Sequence, residues 1–428
     1  MLSKYVLEAD SYDNKFKLLY NTKNDYFIRY RKKDFSSFED LCSYNEVESF
    51  FREKSFFASD NEIFEIKKLQ NQIKNSNDTL MIIVKLTSQC NFRCNYCYEK
   101  FSDKKIERND YIRLLKFISN QIEKNNFKTI IINWFGGEPL LNIDAILYLT
   151  PRIQELCEKN NIYYLASITT NGYLLDKDIF SKLYKSNVKS YQITIDGFET
   201  IHNKQRILLN GKGSFNKIIK NIEDIQTNFG CYNDFGIVIR MNLTREIVNN
   251  IYNVERWLNR LKQNSNIYLD FNSVVDFKTL SHQISDIEIL NFIKNFIGKG
   301  YRIANLRSYL SIYDSLCFAA KDNHYVVNTD FRVSKCTVIE NDESYIGYID
   351  KKGDFIKSDY FDIWNKCYIK KECKECLNWA YCNGGACQLF SKKYKEPRCC
   401  KFYKNEKELL KLMDLSKDYD LTLEKKLC

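Results

Sequence analysis

The sequence predicts an α/β fold: a partial (β/α)6 barrel flanked by a small N-terminal α+β module and a C-terminal cysteine-rich domain. Three observations carry that expectation. Six short apolar runs alternate with helix-like segments between residues 81 and 305, the pattern of βα units around a parallel sheet. Residues 1–80 instead mix short apolar alternations with a single helical stretch. Of the 16 cysteines, ten lie in the last 112 residues, where regular periodicity fades.

In chain order, Lys15–Tyr20 and Tyr26–Tyr30 alternate as strands do, and a helical pattern follows around residues 38–50. The polar tract 71–78 reads as a linker into the barrel. The expected barrel strands are 81–87, 129–135, 164–169, 190–195, 236–241 and 267–271, with helices at 110–125, 143–159 and 178–186 among them. In such a barrel, chemistry gathers at the C-terminal ends of the strands. Residues 306–405 form the cysteine-rich domain, which metal binding can organise. Residues 406–428 read as a helical tail on or near it.

The chain has 428 residues, 44% hydrophobic and 28% charged, an ordinary globular composition. Collagen, disorder and a membrane bundle are excluded. Glu8 and Asp10 interrupt the N-terminus before any apolar core, so no secretory signal is read. No stretch nears the roughly 18 apolar residues of a membrane span. The expectation is a cytoplasmic protein with no membrane partner, in which dense cysteines are metal ligands rather than disulfides. The net charge of +10 is spread along the chain without a basic, aromatic-laced stripe, so nucleic acid is not expected.

The first chemical motif is Cys90-Asn-Phe-Arg-Cys94-Asn-Tyr-Cys97, directly after the first barrel strand. Three thiolates in one tight loop suit three irons of a four-iron cluster and leave the fourth iron open. Zinc would want four ligands, usually in paired cysteines. Gly136-Gly137-Glu138-Pro139 ends the second strand, Thr170-Asn171-Gly172 the third, and Thr194-Ile195-Asp196-Gly197 the fourth, followed by His202 and Arg206.

This set resembles the radical S-adenosylmethionine (SAM) superfamily. The resemblance implies that the open iron is chelated by SAM, whose reductive cleavage gives methionine and a 5′-deoxyadenosyl radical. It implies SAM contacts from Gly136, Gly137, Glu138, Pro139, Thr170, Asn171 and Thr194, and from Arg206 and Arg240, with Glu138 receiving the SAM ammonium. A flavodoxin- or ferredoxin-type partner would supply the electron.

The second cysteine set is Cys317, Cys336, Cys373, Cys376, Cys382, Cys387 and the pair Cys399-Cys400. It resembles the SPASM extension of peptide-modifying radical SAM enzymes. That implies two auxiliary clusters, hence three 4Fe-4S clusters in all. Cys373, Cys376, Cys382 and one of Cys399 and Cys400 would hold the outer cluster; Cys317, Cys336 and Cys387 would hold the inner one. Its fourth ligand is not evident: Asn323 stands where some relatives have one, with His324 and Asp322 beside it. Two departures stand out. Phe331 occupies a position where the pattern has Gly, and four residues rather than three separate Cys382 from Cys387. Cys42, Cys157, Cys231, Cys367 and Cys428 have no ligand spacing, and Cys157 and Cys231 read as buried small hydrophobes.

The implied function is a maturase that oxidatively modifies a ribosomally synthesised precursor peptide, forming a thioether or C–C crosslink. The N-terminal module would bind the peptide's leader, for which strand addition at a sheet edge is one physical route. One alternative is an anaerobic sulfatase-maturating enzyme forming formylglycine, with Asp270 or Asp276 as candidate base. Another is a zinc-organised scaffold without redox chemistry.

Overall fold

The computed structural model describes residues 1–261, 266–276, 281–304, 306–311, 317–338, 344–364, 376, 379–382 and 405–424. They fall into two compact units. One unit gathers residues 1–75, 286–321 and 366–428, and the other gathers 76–285 and 322–365. The cysteine-rich stretch expected as one domain at 306–405 is thus divided between them.

In the first unit, β1 (Val6–Asp10), β2 (Phe16–Asn21) and β3 (Tyr26–Arg31) form an antiparallel meander. It is followed by α1 (Phe38–Leu41), α2 (Asn45–Glu53) and α3 (Glu62–Lys74). The inward positions Leu19, Ile28, Phe35, Leu41, Val47, Phe51 and Phe56 make one apolar core. Helix α3 runs into the tract expected as a linker. It does so because it has buried partners: Gln70 Nε2 donates to the Trp379 and Ala380 carbonyls at 2.9 and 3.2 Å, and Ile66 packs with Tyr5 and Ala380.

The C-terminal tail departs from expectation. After the helix Glu406–Leu415, the strand Leu421–Leu423 pairs parallel with β3. An edge strand carries unpaired backbone groups, and here the chain's own tail satisfies them. Asp420 fixes the entry: its N–H donates to the Phe27 carbonyl at 2.8 Å, and its Oδ2 accepts from Phe27 N–H at 2.7 Å. Arg29 donates to Thr422, Asp414 and Tyr419 at 2.8–2.9 Å, and Leu423 enters the core.

In the second unit the chain runs through β4 (Thr79–Lys85), β5 (Phe92–Cys94), α4 (Tyr111–Lys124), β6 (Thr129–Phe135), α5 (Ile143–Lys159), β7 (Tyr163–Thr170), α6 (Lys177–Lys185) and β8 (Val188–Thr194). Next come α7 (Glu199–Gln205), β9 (Arg206–Leu208), α8 (Phe215–Phe229), β10 (Gly236–Leu243) and β11 (Ile267–Ser273). Strands β4, β6, β7, β8, β10 and β11 are parallel and neighbours in that order, the six expected units. Beyond β4 the sheet continues through β14 (His324–Val327), which is parallel to it, and then the antiparallel β15 (Arg332–Ser334), β16 (Tyr345–Ile349) and β17 (Phe355–Lys357). Among the described residues, this pairing joins 322–338 and 344–364 to the barrel sheet. The two-residue strands β12 (Val275–Asp276) and β13 (Ser281–His282) pair separately.

Along β6, β7, β8, β10 and β11, residues on one face are buried and mostly apolar, while the alternate residues are partly exposed. Amphipathic helices cover the first face. The second carries Asn133, Ser167, Gln192, Thr194, Arg240, Asn242, Asp270 and Asn272, a polar lining unusual for a parallel sheet. No helix among the described residues is long and apolar enough to cross a membrane.

Candidate active site at the strand ends

The three cysteines of the first motif leave β4 in a loop that folds back on itself. Ser88 N–H donates to the Lys104 carbonyl and Ile106 N–H to that of Leu86. Within the loop, β5 forms an antiparallel ribbon with β9, which sets Cys94 opposite Arg206. Cys97 N–H donates to the Cys94 carbonyl at 3.1 Å, and Phe92 N–H points at Cys90 Sγ at 3.3 Å. Burial raises the Cys94 and Cys97 thiols and pushes Cys90 up to about 12. A metal bound by these thiols would have to displace their protons. Among the described residues, no three His, Cys, Asp or Glu side chains come close enough to hold a single metal ion. Thiols spread around a polynuclear cluster do not need to.

The glycines after β6 meet this loop backbone to backbone. Gly136 has φ +135°, and a Cβ there would overlap the Thr87 carbonyl oxygen; one on Gly137 would overlap that of Gln89. Gly137 and Glu138 N–H donate to those same carbonyls at 2.9 and 2.8 Å. The glycine pair is thus required by the cysteine loop itself. Glu138 is wholly buried, and its partners lie within the protein. Oε1 accepts from Thr170 Oγ1 at 2.7 Å and Leu140 N–H at 3.0 Å, and Oε2 accepts from Asn171 N–H at 2.7 Å. Burial pushes its carboxyl up, and these donors oppose that. These contacts tie the ends of β6 and β7 together. Asn171 Nδ2 in turn donates to Asn91 in the cysteine loop at 2.7 Å.

On the other side, Asp196 is buried at the end of β8. Its Oδ2 accepts from the Tyr96 hydroxyl, and its Oδ1 accepts from Asn242 N–H at 2.9 Å. Arg206 donates to the Tyr96 oxygen at 2.8 Å. Buried polar groups are nearly always satisfied. Arg206 Nε nevertheless finds no hydrogen-bond partner among the described residues. This leaves a fixed, buried cation with a donor to spare beside the cysteines. His202 supports the turn from behind: Nδ1 accepts from Asp196 N–H at 3.2 Å, and Nε2 meets Ser214 Oγ at 3.1 Å.

The family profile of the radical SAM superfamily matches residues 84–246. The chain carries a radical SAM domain. A cysteine-type anaerobic sulfatase-maturating enzyme of Clostridium novyi (strain NT) is 26% identical over 360 residues, 74% of this chain and 88% of that protein. The radical SAM cyclopropyl synthase TigE of Paramaledivibacter caminithermalis is 27% identical over 315 residues, 64% of this chain and 65% of that protein. Among solved structures, native anSMEcpe with bound AdoMet and Cp18Cys peptide superposes with a TM-score of 0.59 at 20% identity, covering 79% of this chain and 99% of that one. Streptococcus suis SuiB bound to precursor peptide SuiA gives 0.54 at 15% identity, covering 94% and 98%. At such identities the likeness is one of fold.

Within the radical SAM domain, Thr194 lies opposite Arg240 and Arg240 opposite Asp270, in one row across β8, β10 and β11. Arg240 is ion-paired with Asp270 at 3.1 Å, and Asn272 donates to the other Asp270 oxygen at 2.8 Å. Both Asp270 oxygens are thereby engaged. Asp276 sits in a two-residue strand whose side chains lie outside the described residues.

Of the auxiliary cysteines, Cys317 belongs to the first unit and Cys336 to the second. Cys376 is exposed, and Cys382 ends the helix Trp379–Cys382. Cys373, Cys387, Cys399, Cys400 and the Cys382 side chain lie outside the described residues. Among the fourth-ligand candidates, Asn323 Nδ2 donates to Asn77 Oδ1 at 2.9 Å, and His324 is buried in β14. Phe331, at the position expected to hold Gly, takes φ +64°, the left-handed conformation glycine adopts freely. Its ring is buried with the Arg113 guanidinium 4.1 Å from its centroid. Cys157 is buried as expected, whereas Cys231 is exposed. Asn91, Asn242 and the contact of Lys85 with Thr337 gave no spacing signal, because their partners are remote in sequence.

Proposed function

We propose that this chain is a radical SAM maturase that oxidatively modifies a ribosomally made peptide, closing a thioether or C–C crosslink. The observation that carries the reading is the joint placement of Cys90, Cys94 and Cys97 with the buried Arg206 at the C-terminal ends of parallel strands. Those cysteines would hold a 4Fe-4S cluster with SAM on its open iron, which supplies a hydrogen-abstracting radical when reduced. The donor set fits: three thiols in one loop, and a buried guanidinium with one Nε–H free for a carboxylate. Gly136 and Gly137 set the loop against β6, and Glu138 fixes Thr170 and Asn171. The polar row Thr194, Arg240 and Asp270 would face the substrate. Cys317, Cys336, Cys373, Cys376, Cys382, Cys387 and one of Cys399 and Cys400 would hold two auxiliary clusters, with a flavodoxin- or ferredoxin-type protein as electron donor.

The N-terminal module supports a precursor peptide as substrate. The SuiB fold covers more of this chain than the anSMEcpe fold, 94% against 79%. With β3 closed by the C-terminal strand, a leader strand would add at β1. Formylglycine formation is the second reading, favoured by the 88% coverage of the Clostridium novyi enzyme. With Asp270 as the base it would require that carboxylate to leave its ion pair with Arg240, and Asp276 is the other candidate base.

The test is anaerobic reconstitution with iron and sulfide, then incubation with SAM and dithionite. The expected result is about twelve irons per chain, three four-iron clusters, with 5′-deoxyadenosine formed by the wild type and not by Cys94→Ala. Zinc without brown colour would sink the reading. Turnover of a sulfatase-motif peptide, with none of precursor peptides encoded beside the gene, would select the second reading.

A further inference from the structure

Lys85 ends an otherwise apolar strand, Thr-Leu-Met-Ile-Ile-Val-Lys, yet its side chain is only 6% exposed. A buried ammonium is costly unless its donors are met. Here they are: Nζ lies 3.0 and 3.2 Å from the two Glu99 oxygens and 3.1 Å from the Thr337 carbonyl. Glu99 stands two residues after Cys97, and Thr337 directly follows Cys336. A second link runs alongside. The Thr337 side chain hydrogen-bonds the Tyr98 hydroxyl, so the sequence neighbours of Cys336 and Cys97 meet. Val338 N–H also points at Cys336 Sγ, at 3.5 Å. Two segments nearly 240 residues apart are thus joined by directional contacts beside a cysteine of each motif. An apolar contact would bury the same surface more cheaply, but without fixing direction or distance.

We propose that Lys85 and Glu99 are positioning residues that hold Cys336 at a set distance from the Cys90–Cys97 loop. They would thereby fix the separation of the first cluster and the auxiliary cluster reached through Cys336, with Tyr98 between them. The inference rests on the cluster assignment proposed above.

The experiment uses the full chain, reconstituted anaerobically and reduced with dithionite without peptide. Wild type, the double variant Lys85→Met/Glu99→Met and the milder Tyr98→Phe are compared by iron content and by microwave power saturation of their electron paramagnetic resonance signals. The double variant replaces both charges, so no lone ion is left buried. In the wild type, magnetic interaction between reduced clusters should broaden the lines and speed relaxation. Both variants should keep their iron; the interaction should be lost in the double variant and weakened in Tyr98→Phe. Full iron with unchanged relaxation in both overturns the positioning role alone. If the double variant loses iron, Tyr98→Phe decides. A wild type holding only about four irons overturns the cluster assignment as well.

Discussion

Cys94 and Arg206 face each other as register partners in the ribbon of β5 and β9. The guanidinium favours a thiolate at Cys94 against the burial that raises it. The same guanidinium reaches Tyr96 at 2.8 Å, and Tyr96 donates to Asp196. One buried cation therefore serves a metal-ligand candidate and the end of β8 together.

Arg206→Met should leave Asp196 buried without its cation. Breaking a direct buried pair costs about 3–5 kcal/mol, and since this one is bridged by the Tyr96 hydroxyl the loss should not exceed that range. Protonation of Asp196, already raised by burial, should pull the loss toward the lower figure. Arg206→Lys should lose less, since it keeps the charge. Thermal unfolding of the two variants checks the order, and equal melting temperatures would contradict it.

His202 is buried and neutral, with its pKa well below 6.5 because burial penalises the imidazolium. The unfolded chain takes up a proton near pH 6.5, and the folded chain does not. Stability from this group is therefore present above that pH and falls as pH drops, by up to about 1.4 kcal/mol per unit. Denaturant unfolding between pH 7.5 and 5.5 should show a shallower acid slope in His202→Gln than in the wild type.

Phe331 allows backbone strain to be separated from packing. In ordinary helix or strand positions Ala is more stable than Gly by roughly 0.5–1 kcal/mol. At φ +64° the order should reverse. Phe331→Ala loses the buried ring and keeps the strain, whereas Phe331→Gly loses the ring and relieves the strain. Both should be less stable than the wild type, with Ala the lower, in paired melting curves.

The C-terminal strand depends on Asp420. Asp420→Ala removes the Oδ2 acceptor of Phe27 N–H and the ion pair with Arg307 at 3.3 Å. An unmet backbone donor costs about 1–3 kcal/mol. Hydrogen exchange along Tyr26–Arg31 should quicken while exchange in β6 stays unchanged. Equal protection of β3 in both proteins would show that the strand stays paired without this contact.

Much of the fold was legible because its signals are local. Periodicity and short apolar runs located the six parallel strands to within two residues, and the C-x3-C-x2-C loop and GGEP segment lie where those strands end. Other features were not legible. Tyr96 and Asp196 are 100 residues apart, and Tyr96 and Asn242 are 146 apart. The tail's pairing with β3, the splitting of the cysteine-rich stretch, and the partners of Glu138 have no local pattern either.

The sequence by itself determined which residues bring chemistry and which strands carry them, because spacing and hydrophobic period are written in neighbouring residues. Only the tertiary structure decided which groups those residues meet. Burial removes water from Glu138, Asp196, Arg206 and Lys85, and each must then find its hydrogen-bond partners on whichever strand the folded sheet places beside it.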